Sequence, residues 1–129
     1  MNRRRVCLSA GLALGLLIGG LVLLRAQARN EDLDPVKLTP DRTKLILENT
    51  FVRVTEERVP PGQGLPRHSH LRGVIVALSD YDSEQKVYPA GQVVRAHRRV
   101  GEVNWVETTV HETRNVGSTL QNVIRIELK

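Results

Sequence analysis

Cysteine is all but missing from this chain of 129 residues. The single one, Cys7, lies in a leading segment, so the rest of the chain has no disulfide, no thiolate metal cluster and no cysteine nucleophile. Aromatic residues are nearly as scarce: Phe51, Tyr81, Tyr88 and Trp105. Acid is absent from residues 1–28, which carry Arg3, Arg4, Arg5 and Arg25. Beyond them 15 Lys and Arg face 14 Asp and Glu, so the formal charge of +5 falls to +1 once that segment is set aside. A nucleic-acid partner recognised by bulk cationic charge is thereby disfavoured.

The leading segment has three zones. Asn2–Arg5 is basic, Val6–Leu24 is an uncharged Leu- and Gly-rich run, and Arg25-Ala26-Gln27-Ala28 places small residues where a signal peptidase reads them. This is the layout of a secretory signal peptide cut after Ala28. The apolar run also approaches the ~20 residues that span a bilayer, so an uncleaved anchor is the alternative. The basic end stays in the cytoplasm in both cases. The expected location is periplasmic or secreted, or anchored with the domain outside, and the membrane is met only through this N-terminal segment.

Residues 29–41 contain Pro35 and Pro40 and read as a linker, with the domain proper at 42–129. No helical apolar stripe follows. Short runs rich in β-branched residues recur instead: 44–48, 51–58, 73–78, 85–88, 92–98, 102–106, 112–115 and 121–128. Turn residues such as Pro60-Pro61-Gly62, Pro89-Ala90-Gly91, Gly101 and Gly117 separate them. The final run alternates, with Leu120, Asn122, Ile124, Ile126 and Leu128 on one parity and Gln121, Val123, Arg125 and Glu127 on a wetter one. That is the pattern of a half-buried antiparallel strand. About eight strands in so short a chain predict an all-β barrel or sandwich.

The specific chemistry lies in histidine. His68 and His70 are two apart, so on a strand both imidazoles project from one face, a spacing that suits two ligands of one metal. His111 could close the site from across a barrel. Imidazole serves Fe, Zn, Mn, Cu or Ni. His97, among Arg95, Arg98 and Arg99, reads as part of a solvated strand face. Gly62 and Gly101 read as turn residues, and Asn115 as the cap of a turn.

Gly62-Gln63-Gly64-Leu65-Pro66-Arg67-His68-Ser69-His70 resembles the first motif of the cupin superfamily: glycine, five residues, then His-x-His. Gly101–Trp105 followed by His111-Glu112-Thr113-Arg114-Asn115 resembles the second. The resemblance, to small single-domain bacterial cupins, covers about 35–129. It implies a small jelly-roll β-barrel (a double-stranded β-helix), often dimeric, preceded here by a hydrophobic signal helix. His68, His70 and His111 would then line the interior as ligands of a divalent metal ion. The glutamate usual after the second histidine is missing: those positions hold Val74 and Ile75.

Arg72 and Trp105 are the candidate substrate contacts. On an unbroken strand Arg72 would share the face of His68 and His70 and could clamp a substrate carboxylate; a bulge at Gly73 would turn it outward. Trp105 reads as core, pocket wall or stacking surface. Glu102 and Glu107 would reach the metal only if a loop carried one there. Three readings follow. The first is an exported metalloprotein, tested first with iron, oxygen and small organic acids. The second is a metal-free module binding a sugar or carboxylate. The third is an interaction domain whose histidines fill a polar interior.

Overall fold

The computed structural model describes residues 30–129; the basic and apolar leading segment and the expected cut after Ala28 lie outside the described residues. Among the described residues no helix is long and apolar enough to cross a membrane. The described residues form nine strands: β1 (Thr43–Glu48), β2 (Val52–Val59), β3 (Gly64–His70), β4 (Gly73–Ala77), β5 (Tyr81–Val87), β6 (Gln92–Arg98), β7 (Val103–Val106), β8 (Thr109–Asn115) and β9 (Gln121–Leu128). They form two antiparallel sheets, one ordered β1-β2-β9-β4-β7 and the other β3-β8-β5-β6. The two stack as an all-β jelly roll.

Most strands follow from β-branched composition. The exception is β3, which holds Gly64, Pro66, Arg67 and Ser69 and gives little local signal. Its pairing with β8 makes it a strand. Pro66 falls where the β3–β8 register shifts, between Leu65 and His68. A missing ladder donor is tolerated at such an irregularity. The strand stops at His70 and β4 starts at Gly73, so the unbroken strand from His68 to Val74 does not form.

The inner faces are polar. In β2 the buried residues are Arg53, Thr55, Glu57 and Val59; in β9 they are Gln121, Val123, Arg125 and Glu127. The wetter parity of the last strand is therefore its buried one. Among the described residues seven hydrophobic side chains are buried against sixteen polar or charged ones, so apolar burial alone does not hold this interior together. Ile75, Ala77, Tyr81 and Val123 make a small apolar cluster, with Val106 against it.

The segment expected to be a linker is packed on the barrel. A 3-10 turn (Glu31–Leu33) leads into α1 (Pro35–Leu38). Pro35 opens α1, where its missing N–H costs nothing. Asp34 caps α1 by accepting from the Val36 N–H at 3.0 Å. The same carboxylate, buried, accepts from Arg53 Nη2 at 2.9 Å.

Gly62 and Gly101 have φ of +74° and +81°, the left-handed region that glycine enters freely, as their turn positions suggested. Asn115 is fully buried. Its Nδ2 donates to the carbonyls of Val59 at 2.8 Å and Thr119 at 2.7 Å, and its Oδ1 accepts from the Gly117 N–H at 3.0 Å. It thus ties β8 to β2 and to the turn that follows. Replacing Asn115 by Ala removes all three bonds and strands their partners, which should lower stability by about 2–4 kcal/mol; the shift of the urea midpoint at unchanged slope measures it.

Candidate metal centre

His68 and His111 face each other directly across the β3–β8 ladder. His70, two residues along β3, reaches towards the opposing sheet. All three are buried, with 1%, 2% and 4% of His68, His70 and His111 exposed. Ring centroids are 4.5 Å apart for His68–His111, 4.7 Å for His68–His70 and 5.5 Å for His70–His111. One ligand atom from each lies within 4.8 Å of the others.

Each ring is anchored at Nδ1. His68 Nδ1 is 2.6 Å from the Pro66 carbonyl, which can only accept. His70 Nδ1 is 2.8 Å from Glu127 Oε1, and His111 Nδ1 is 3.0 Å from Gln85 Oε1. A proton on Nδ1 in each case leaves the Nε2 lone pair facing inward. This is how metal-binding imidazoles are oriented: a second acceptor fixes tautomer and ring angle.

The inner atoms then confront one another. His68 Nε2 and His111 Nε2 are 3.0 Å apart. His70 Nε2 is 3.3 Å from Glu57 Oε1 without hydrogen-bond alignment. Lone pairs at such distances repel unless a cation or a shared proton lies between them. The donor set therefore fits a divalent cation, and neutral imidazoles suit Fe, Zn, Mn, Cu or Ni.

Electrostatics keeps the rings neutral. Burial is the main cause lowering the pKa of His68; it carries His70 well below the ordinary 6.5 and, with the neighbouring His68, takes His111 to about 2. Arg125 pushes all three the same way. Burial is the largest influence on Glu57 and works to raise it, but the Arg125 guanidinium, His70 and His68 together outweigh it and hold the carboxyl below its usual value. Arg125 Nε donates to Glu57 Oε1 at 3.3 Å.

The other candidates stand apart from the triad. Arg72 lies in the gap between β3 and β4 with an exposed side chain, turned away from the His68–His70 face; its backbone N–H donates to Thr108 Oγ1. Trp105 is 54% exposed on β7, neither core nor wall of the histidine cavity, and its indole N–H donates to Glu107. Glu102 hydrogen-bonds Asn104 and pairs with Arg98. His97 is exposed as expected, but it has an acceptor, Asp82 on the neighbouring strand, at 2.8 Å. Ile75, where the first motif usually has its carboxylate, is buried in the apolar cluster.

Sequence reasoning missed Glu57, Gln85, Arg125 and Glu127. Glu57 and Glu127 bring carboxylates to the histidines from β2 and β9 rather than from the end of the His-x-His motif. The one local signal was charge recurring on one parity of each strand, at Arg53 and Glu57, four apart, and at Arg125 and Glu127, two apart.

Comparison with known proteins agrees with this fold. A cupin domain from Bordetella pertussis Tohama I is 27% identical, with a TM-score of 0.61 over 67% of this chain and 91% of its own. The fold is a cupin fold. A protein with a double-stranded β-helix domain from Klebsiella pneumoniae subsp. pneumoniae MGH 78578 is 19% identical, with a TM-score of 0.51 over 66% of this chain and 72% of its own. No family model matches the chain, and no curated protein does. In this cupin fold the three histidines lie together at the barrel interior, close enough to hold one metal ion.

Two consequences are measurable. The unfolded chain protonates its histidines near pH 6.5, while the folded, metal-free barrel resists it, so stability is full above about 6.5 and falls as pH drops below it. Thermal unfolding of chelator-treated protein at pH 7.5, 6.0 and 5.0 should show a falling Tm, and His111→Gln should flatten the decline. Glu127→Gln, which weakens the acceptor on His70 Nδ1, should reduce metal affinity by roughly 10–100-fold, read by competition with a chromogenic chelator.

Proposed function

We propose that this chain is an exported single-domain metalloprotein that holds one divalent cation through Nε2 of His68, His70 and His111. The anchoring of all three Nδ1 atoms, by Pro66, Glu127 and Gln85, is the observation that carries the reading. An imidazole set that only filled space would not need three separate acceptors turning its lone pairs to one point. When bound, such an ion supplies Lewis acidity at a position that can take oxygen or a small acid.

The chain's own residues do the rest. Glu127 and Gln85 set ring orientation. Glu57, paired with Arg125, places negative charge beside His70 that offsets the cation. The apolar cluster around Ile75 limits water on one side. The substrate class we put forward is a small organic acid, with iron the first metal to test, in an oxygenase-type or related reaction. The signal-like segment supports export, with the barrel periplasmic or secreted, or held outside by an uncleaved anchor.

The test is metal content by inductively coupled plasma mass spectrometry on full-length protein purified without a histidine tag, beside a His68→Ala/His70→Ala variant. Near one metal per chain in the wild type, lost in the variant, is the expected result. No metal above background after loading with iron, zinc, manganese or copper sinks the reading and leaves a metal-free ligand-binding barrel in its place.

A further inference from the structure

We propose that Arg125 forms an anion subsite beside the histidine triad, and that its occupant is a carboxylate with a short apolar tail. The proposal deepens the metal-centre reading and rests on it. Arg125 comes from the buried parity of β9 and is only 6% exposed. Its Nε is satisfied by Glu57, yet Nη1, equally buried, has no hydrogen-bond partner among the described residues. A guanidinium donor taken out of water without an acceptor is costly, so an acceptor belongs there.

The surroundings say what kind. Arg125 lines a cavity of about 130 Å³ that His111 also lines. Arg98 contributes a second guanidinium. No Asp or Glu lines the cavity; Glu57 and Glu102, which pair with its two guanidiniums, lie outside its wall. A guanidinium presents parallel N–H donors that match the two oxygens of a carboxylate. Ile75, Val94 and Val106 supply an apolar wall, which a short alkyl tail covers and a sulfate ion does not. At about 130 Å³ the cavity suits a small acid better than a sugar or a long acid. A larger groove of about 390 Å³, lined by Gly62, Glu84, Lys86 and Arg114 among others, includes none of the histidines.

The placement also explains how a cationic side chain coexists with a cation site. One anion between Arg125 and the metal offsets both charges. Metal and anion should then bind cooperatively, each raising the affinity for the other by the same factor.

The test uses full-length protein in detergent, metal-free and loaded with Co(II), titrated calorimetrically with propionate, sulfate and chloride. Propionate should bind at one site per chain, more tightly with Co(II) present, and should change the visible Co(II) spectrum. In Co(II)-loaded protein Arg125→Gln should weaken propionate at least about tenfold, and Arg125→Lys should recover part of the loss. No propionate binding to Co(II)-loaded wild type, or unchanged affinity in a folded Arg125→Gln, overturns the subsite. If Arg125→Gln does not fold, the half-buried Arg98 decides: Arg98→Gln should weaken propionate about threefold, and an unchanged affinity overturns the proposal. Sulfate binding as tightly as propionate overturns the carboxylate occupant in favour of an inorganic oxyanion. Arg125-dependent propionate binding to a protein that takes up no Co(II) supports the subsite while sinking the metal reading alone.

Discussion

A barrel that buries Arg53, Glu57, Arg125, Glu127 and three histidines must satisfy those groups mutually, or lose more by desolvation than its few apolar side chains return. The interaction on which this turns is the Arg125–Glu57 pair. It helps to hold the Glu57 carboxylate ionised beside His70, where that charge works against the burial and the Arg125 cation that keep the rings neutral. Neutral rings are what a metal requires, since each must offer a lone pair. The acid–base state of the triad thus depends partly on a pair contributed by β2 and β9, in the sheet opposite the one carrying the histidines.

The carboxylates show how one interior can be rebuilt with different strands. The first cupin motif usually ends in an acid on the strand after His-x-His, and here Ile75 fills that inward position and joins the apolar cluster. Arg125 lies directly opposite Ile75 in the β4–β9 ladder. The row that usually carries the acid carries a cation and a hydrocarbon, and the acids sit one step away on β2 and β9. The exchange places the negative charge around the histidine triad rather than on the strand after His-x-His.

Part of this was readable in the chain. His68 and His70 announce themselves by spacing, because period two on a strand is a local property. His111 needed the second motif to place it, and the β3–β8 register puts it opposite His68. The strand count followed from β-branched runs and turn residues, with β3 the omission because pairing rather than propensity makes it a strand. The alternation of β9 was legible but its sense was not: Arg125 and Glu127 point inward because a site there gives them partners, and no periodicity shows where partners will be. Glu57 is separated from Arg125 by 68 positions, so their pairing is a product of topology alone.

The Asp34–Arg53 pair has a mechanical consequence. Asp34 both caps α1 and is locked to β2, so the chain is already fixed to the barrel at that point. Only five residues separate Ala28 from Asp34, a reach of under about 21 Å even when fully extended. Whatever precedes Ala28 is therefore on a short leash. If that segment stays in a membrane, the barrel is held close to its surface rather than swinging at the end of a loose tether.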